Sequence, residues 1–143
     1  MSAGAGAVTG GGRGEAGLGC AVPRGSVLVV DDDEDIRLTL RELLEDERYD
    51  VWTAQNGQVA LDLLRRAVHL PSLILLDLMM PVKDGFAFRA EQRADPKLAA
   101  VPVIVMSAAA DLRVKSARLG VAHYLGKPVD LDTLLAAIAR FAA

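Results

Sequence analysis

The sequence predicts an α/β fold in which a parallel β-sheet is covered by helices on both faces. Short continuous apolar runs, as in VLVV and LILL, are typical of strands buried on both sides. Between these runs, apolar residues recur at helical spacing, and Gly, Pro and Asn separate the two kinds of segment. Strands that alternate with helices through short connections indicate a doubly wound parallel sheet. In such a sheet, ligands bind beyond the carboxyl ends of the strands.

Five strand–helix units account for the chain after residue 25. Strands are predicted over residues 26–31, 49–54, 73–77, 101–107 and 122–125. Helices are predicted over residues 36–44, 60–68, 86–93, 111–119 and 131–141, where apolar side chains form a stripe. Pro102 is compatible only with the beginning of its strand, because proline cannot donate a ladder hydrogen bond. Trp52 is expected to pack on the second strand, and Arg65 and Arg66 to face solvent.

The N-terminal part of the chain differs from the rest. Residues 1–24 are rich in Gly and Ala without periodicity, which predicts a flexible tail before a folded domain over residues 25–143. The tail contains a G-x-G-x-x-G pattern at Gly12, Gly14 and Gly17. No strand is predicted before it, so we interpret this pattern as a product of composition.

Composition excludes several classes of function. The 143 residues are 52% hydrophobic, which is typical of a globular protein. The net charge of −3 gives no indication of binding to nucleic acid or to an anionic membrane. The single cysteine excludes a disulfide within the chain. The apolar runs are too short to span a bilayer, and no signal peptide is evident. A cytoplasmic protein is therefore expected.

Acidic residues follow two of the apolar strands. Of the five consecutive acids at positions 31–35, the last three fit the N-cap and first turn of a helix, where acids complement the helix dipole. Asp31 and Asp32 directly follow the first strand, and Asp77 ends the third. If the strand order reverses between those strands, the three carboxylates meet in one crevice and repel one another. Mg²⁺ fits such a site best, because it binds oxygen ligands and keeps waters that a phosphate can replace.

Two potential hydrogen-bond donors belong to the same edge of the predicted sheet. Asp77 can act as a nucleophile toward phosphorus, and phosphoryl transfer requires mainly positioning and neutralisation of charge. Ser107 ends the fourth strand and Lys127 follows the fifth. A hydroxyl and an ammonium placed there could bind the oxygens of a phosphoryl group.

These residues resemble a response-regulator receiver domain of two-component signalling. The resemblance covers residues 26–143 and depends on four motifs in order, namely VLVVDDD, LILLDLMMPVKDG, VIVMSA and HYLGKP. It implies a flavodoxin-like sheet of strand order 2-1-3-4-5, with Asp77 as the phosphoacceptor. It also implies that Mg²⁺ binds Asp32, Asp77 and the backbone carbonyl of Met79, with Asp31 acting through a bound water. Finally, it implies a cis peptide bond between Lys127 and Pro128.

The resemblance further implies how the protein would signal. The phosphoryl donor would be a sensor histidine kinase or a phosphotransfer protein, and Ser107 and Lys127 would contact the new phosphoryl group. Tyr124 would turn inward as Ser107 moves, which would change the surface of the fourth helix, fifth strand and fifth helix. Such a domain is not expected to be an enzyme. If the chain is a complete single-domain regulator, its output is expected to be protein contact, and if it is a piece of a longer protein, an output domain is expected outside this sequence. Its target, and whether phosphorylation produces a dimer, remain open.

Three other functions fit the sequence less well. A haloacid-dehalogenase-type hydrolase requires a second Asp two residues after its nucleophile. Two residues after Asp77 this chain has Met79, and no cap domain is evident. A flavodoxin-like FMN site would need a hydroxyl-rich phosphate loop after the first strand. The five acids at positions 31–35 would instead repel the phosphate of FMN. A pseudo-receiver, which keeps the fold only for protein binding, is disfavoured because all five site residues are present.

Two further expectations concern single residues. His69 and His123 have no partner residues at the spacing of metal ligands, so neither is expected to bind a metal. Because Met79 and Ala109 cannot orient an attacking water, we also predict a long-lived aspartyl phosphate.

Overall fold

A five-stranded parallel sheet forms the centre of the protein. The structure is a computed structural model and describes residues 24–108 and 119–142. The strands, in chain order, are β1 (Ser26–Val30), β2 (Asp50–Ala54), β3 (Leu73–Asp77), β4 (Val103–Ala108) and β5 (His123–Lys127). Across the sheet they lie in the order β2-β1-β3-β4-β5, which confirms the predicted order 2-1-3-4-5.

Four helices lie within the described residues. They are α1 (Glu34–Asp46), α2 (Gly57–Arg66), α3 (Gly85–Ala94) and α4 (Leu131–Phe141), the last of which is the fifth helix of the prediction. The helix predicted over residues 111–119 lies outside the described residues except for Leu119, which is in a turn. In the described ranges, no helix has the length and apolar character needed to cross a bilayer.

Both faces of the sheet are covered, which explains why its central strands read as unbroken apolar runs. Alternate residues of each strand point to opposite faces. Leu28, Val30, Ile74 and Leu76 belong to one buried cluster, together with residues of α2 and α3. Val27, Val29, Leu73 and Leu75 belong to the other, together with residues of α1 and α4. Trp52 packs against the first cluster, as predicted.

The ends of several elements differ from the prediction. Val68 was counted in the apolar stripe of the second helix, but α2 ends at Arg66 and Val68 is 89% exposed. The stripe of α2 is completed by Leu61 and Leu64, so burial of Val68 is not needed. Lys127 was placed after the last strand, whereas it is the final residue of β5 and is paired with Ala108. The peptide bond between Lys127 and Pro128 is cis, as the resemblance implied.

The acidic run divides as the sequence predicted. Asp33 is the N-cap of α1, and its carboxylate accepts hydrogen bonds from the backbone N–H groups of Asp35 and Ile36. Glu34 and Asp35 occupy the first turn, where their charge complements the helix dipole. Only Asp31 and Asp32 are left for another role.

The loop from β3 to α3 packs tightly against the end of β3. The N–H of Gly85 donates to the carbonyl of Leu78 at 2.9 Å. A Cβ at position 85 would lie 2.7 Å from the carbonyl oxygen of Asp77, so only glycine fits there. This contact holds the start of α3 against the residues that follow β3.

Val82 occupies a strained backbone conformation in the same loop. Its φ is 68°, and Lys83 donates its N–H to the carbonyl of Pro81 at 2.8 Å, which closes a three-residue γ-turn of the rare kind whose central residue has a positive φ. A β-branched residue there has an energetic cost that asparagine largely avoids. We therefore expect Val82→Asn to raise the free energy of unfolding by about 1 kcal/mol in urea titrations. The control is Val68→Asn, at an exposed position outside the left-handed region, where a change within about 0.5 kcal/mol is expected. Equal effects of the two substitutions would contradict the interpretation.

Candidate functional site

Three carboxylates meet beyond the ends of β1 and β3. These strands are neighbours, with Val30 paired to Leu76, so Asp31 and Asp77 are brought side by side. One carboxylate oxygen from each of Asp31, Asp32 and Asp77 lies within 4.8 Å of the others. Asp31 and Asp77 are buried and Asp32 is exposed. The convergence predicted from the sequence is therefore confirmed.

Lys127 joins this cluster from the end of β5. Its Nζ lies 3.2 Å from Oδ2 of Asp31 and 3.5 Å from Oδ1 of Asp77. Burial by itself would lower the pKa of Lys127, but the charges and hydrogen bonds of Asp31 and Asp77 outweigh burial and raise it. The side chain is therefore a stable ammonium, held between two of the three acids.

Asp77 is less stable as a carboxylate than an ordinary aspartate. Burial is the main factor that raises its pKa, and the negative charge of Asp31 adds to the effect. Lys127 lowers this pKa in part, as does the N–H of Met79, which donates to Oδ1 of Asp77 at 3.4 Å. The pKa remains raised, so the ionised site would gain from further positive charge.

Ser107 places a buried hydroxyl at the same edge of the sheet. The residue is 2% exposed, and within the described residues Oγ has no hydrogen-bond partner. Ser107 follows Met106, which is paired with Asp77 across β3 and β4. An unsatisfied buried hydroxyl destabilises a fold by about 1–3 kcal/mol. No acceptor for this hydroxyl is supplied by the part of the chain that the structure describes.

The side chains at this edge of the sheet fit Mg²⁺ and a phosphoryl group. Mg²⁺ prefers oxygen ligands, and the cluster of three carboxylates offers only oxygens. The unpaired hydroxyl of Ser107 and the ammonium of Lys127 are donors of the kind that phosphoryl oxygens require. Met79 is 61% exposed, and its backbone carbonyl as a metal ligand stays a prediction.

Tyr124, predicted as a switch residue, lies outside the carboxylate cluster. Its side chain is 46% exposed on β5, and its ring stacks on that of His123 with centroids 6.2 Å apart. The structure thus has Tyr124 in an outward position. Its inward rotation stays a prediction.

Two arginines with structural contacts were not singled out from the sequence. Arg37, in the first turn of α1, donates from Nη1 to the backbone carbonyl of Asp31 at 2.7 Å. The available signal was a cation at a helix start, where the dipole disfavours it. Arg89 is buried on α3 and donates to the carbonyls of Leu119 and Gly120, both at 2.8 Å. Burial and the charge of Arg93 lower the pKa of Arg89.

Comparison with known proteins gives a consistent result. The sequence profile described as the response regulator receiver domain matches residues 27–139. The chain is 41% identical over 117 residues to a protein of Leptolyngbya boryana described as an uncharacterized 14.6 kDa protein in the sodA1 3′ region, a match that covers 80% of this chain and 88% of that one. It is 34% identical over 121 residues to response regulator Rre1 of Synechocystis, which covers 82% of this chain and 52% of Rre1. The chain thus spans about half the length of Rre1.

Solved structures agree with the sequence comparisons. The receiver domain of the Francisella response regulator 1452 superimposes with a TM-score of 0.74 at 28% identity, covering 82% of this chain and 96% of that one. The similarity therefore extends over nearly the whole of that domain and over most of this chain.

Proposed function

Because this chain belongs to the response regulator receiver domain family, we propose that Asp77 accepts a phosphoryl group in a Mg²⁺-dependent reaction. The donor is a phosphohistidine on a sensor histidine kinase or a phosphotransfer protein. One observation carries this proposal: the carboxylates of Asp31, Asp32 and Asp77 converge beside the ammonium of Lys127. They lie at the edge of the sheet where β4 carries Ser107, whose buried hydroxyl has no partner within the described residues. A cytoplasmic location is part of the same proposal.

In the proposed reaction, Asp77 acts as the nucleophile. A carboxylate oxygen of Asp77 bonds to phosphorus while the bond from phosphorus to the donor imidazole nitrogen breaks, and its electron pair returns to that nitrogen. The ammonium of Lys127, which contacts Asp77 at 3.5 Å, donates to an oxygen of the transferred group. The hydroxyl of Ser107 donates to another, which gives this buried group the partner it lacks within the described residues.

The acids around Asp77 would hold the cation. Asp32 and Asp77 are the proposed side-chain ligands, with the backbone carbonyl of Met79 as a further one, and Asp31 would act through a metal-bound water. Bound there, Mg²⁺ supplies positive charge that offsets the repulsion between the carboxylates and the phosphoryl oxygens. The raised pKa of Asp77 is consistent with this need, since burial and Asp31 both disfavour its ionised form.

In the proposed mechanism, phosphorylation of Asp77 signals by changing the surface that the protein presents to a target. When Ser107 is drawn toward the phosphoryl group, Tyr124 turns inward from its exposed position on β5. The surface around β5, α4 and the predicted helix before β5 changes with it and binds a protein target. The flexible tail over residues 1–24 remains a prediction and has no part in this mechanism.

Phosphate-affinity electrophoresis tests the proposed function. The chain is incubated with acetyl phosphate and Mg²⁺, and a retarded band is expected. This band should be absent when EDTA replaces Mg²⁺, and hydroxylamine should remove it, because hydroxylamine cleaves acyl phosphates but not phosphoserine. If no band is retarded under any condition, the chain is a pseudo-receiver and the proposal is wrong.

The lifetime of the phosphoryl group is a second expected result. Met79 is exposed beside Asp77 and carries no group that can orient an attacking water. Ala109, the other flanking residue, lies outside the described residues. We expect the aspartyl phosphate to persist for minutes or longer, and Met79→Asn to shorten its half-life by about tenfold. Release of inorganic phosphate measures this, with Met79→Leu as the control. A half-life on the order of seconds in the unaltered protein contradicts the expectation.

A further inference from the structure

Arg37 makes an unusual contact for a residue in the first turn of a helix. Its Nη1 reaches back and donates to the backbone carbonyl of Asp31 at 2.7 Å. The positive end of the helix dipole disfavours a cation there, and the other charged residues of the first turn of α1 are acids. The short hydrogen bond to a carbonyl inside the β1–α1 connection indicates what the side chain does at this unfavourable position.

Together with a second hydrogen bond, this contact fixes the backbone on both sides of Asp32. Arg37 holds the carbonyl of the peptide group that precedes Asp32. Asp33 donates the N–H of the peptide group that follows Asp32 to Oδ1 of Asp31 at 2.9 Å. The N–H of Asp31 is itself bound to the carbonyl of Ala54 at 3.1 Å, which anchors the connection to β2. The two dihedral angles of Asp32 relate these two peptide groups, so holding both sets the direction of its Cβ.

Asp32 needs such a constraint more than the other two acids do. Asp31 and Asp77 are buried, and both contact Lys127. Asp32 is exposed, so packing does not fix the position of its carboxylate.

We infer that Arg37 is a positioning residue of the cation site, because it fixes the peptide group before Asp32 and thereby aims that carboxylate at the cluster with Asp31 and Asp77. The inference rests on the proposed function in so far as the cation is Mg²⁺. It assigns no contact between Arg37 and the ion. When the groups that hold metal ligands by hydrogen bonds are removed, the affinity of the site for its metal falls by about 10- to 100-fold.

The sign of the effect separates positioning from electrostatics. Arg37 is a cation close to an anionic site, so its charge by itself weakens binding of Mg²⁺. Removing the charge would strengthen binding if electrostatics dominated, and removing the hydrogen bond would weaken it if positioning dominated. Arg41 provides a matched control, because it lies one turn later on α1 and forms an exposed ion pair with Glu45.

Isothermal titration with MgCl₂ on the full chain tests the inference. We expect Arg37→Gln to weaken binding about tenfold, Arg41→Gln to change it by less than about twofold, and Arg37→Lys to restore part of the loss. Lysine keeps the charge and has N–H groups that can donate to the same carbonyl. Because the charge by itself weakens binding, a partial recovery is specific to the hydrogen bond. Arg37→Gln binding as tightly as the unaltered protein, or more tightly, would overturn the inference.

Amide hydrogen exchange without metal gives a second readout. We expect the N–H of Asp33 to exchange several-fold faster in Arg37→Gln than in the unaltered protein or in Arg41→Gln. The amides of β3 should exchange equally slowly in all three, which shows that the fold is intact. Unchanged exchange at Asp33 would also overturn the inference. If the unaltered protein binds no Mg²⁺, the proposed function fails, while the exchange data still decide whether Arg37 fixes this connection.

Discussion

Replacing Asp77 with Asn is expected to abolish phosphorylation by acetyl phosphate, with a fall in rate of more than about 1,000-fold. The amide has nearly the shape of the carboxylate but no anionic oxygen that can bond to phosphorus. Asp31, Asp32 and Lys127 remain, and Mg²⁺ is kept in excess because Asp77 is also a proposed ligand of the cation. Quantification of the retarded band over time, with Mg²⁺ in excess, measures the effect.

Asp84→Asn is the matched control for this substitution. Asp84 is the N-cap of α3, where its side chain accepts from the N–H of Ala87 at 2.9 Å, and asparagine fills this role about as well. The control makes the same chemical change a few residues away, and its phosphorylation rate is expected to stay within about twofold. A phosphorylated Asp77→Asn variant would show that another side chain is the acceptor.

The same variant provides a check on folding through its dependence on pH. Burial, and then the charge of Asp31, raise the pKa of Asp77 in the folded state above its value in the unfolded chain. The folded state therefore favours the protonated form. This stabilising contribution is complete below the unfolded pKa and is lost as pH rises through the folded pKa. Without metal, Asp77→Asn should gain stability relative to the unaltered protein as pH rises over this range. Urea unfolding at several pH values measures the difference, which should vanish in acid.

Arg89→Met is expected to destabilise the fold by about 3 kcal/mol and to lower the melting temperature by about 10 °C. The guanidinium is 7% exposed and donates from Nε to Leu119, from Nη2 to Gly120 and from Nη1 to Oε1 of Gln92. Methionine fills similar space but donates nothing, so the carbonyl of Gly120 and Oε1 of Gln92 lose this donor, and the carbonyl of Leu119 keeps only the longer bond from Arg93. Gln92 in turn donates to the carbonyls of Leu98 and Val101, at 3.1 Å and 3.0 Å, so the loss extends to the turn after α3.

Arg93→Met tests whether the effect depends on burial. Arg93 lies one turn later on α3, is exposed, and donates to the same carbonyl of Leu119 at 3.4 Å. Because that carbonyl keeps its bond from Arg89, a loss below about 1 kcal/mol is expected. Thermal unfolding followed by circular dichroism compares the two variants. Similar losses for both would mean that the buried network has no special role.

Local sequence patterns were sufficient for the elements and for the residues at the strand ends. The apolar runs predicted β1 and β3, and the caps predicted where α1 begins, because both features depend on neighbours in the chain. Val68 shows the limit of this reasoning. An apolar residue at helical spacing was assigned to a buried stripe, yet α2 ends at Arg66 and Val68 is exposed, because spacing alone does not fix where a helix ends.

The sequence by itself determined the fold class and the acidic residues at the ends of the first and third strands. Asp31, Asp77, Ser107 and Lys127 could be named because strands of one parallel sheet end at a common edge. Only the tertiary structure decided their distances, the unpaired hydroxyl of Ser107, and the partners of Arg37 and Arg89. Lys127 and Asp31 are 96 positions apart in the sequence. The periodicity of apolar residues indicates only which face of a helix or strand a residue occupies. Which side chain meets which across that distance depends on the packing of whole elements.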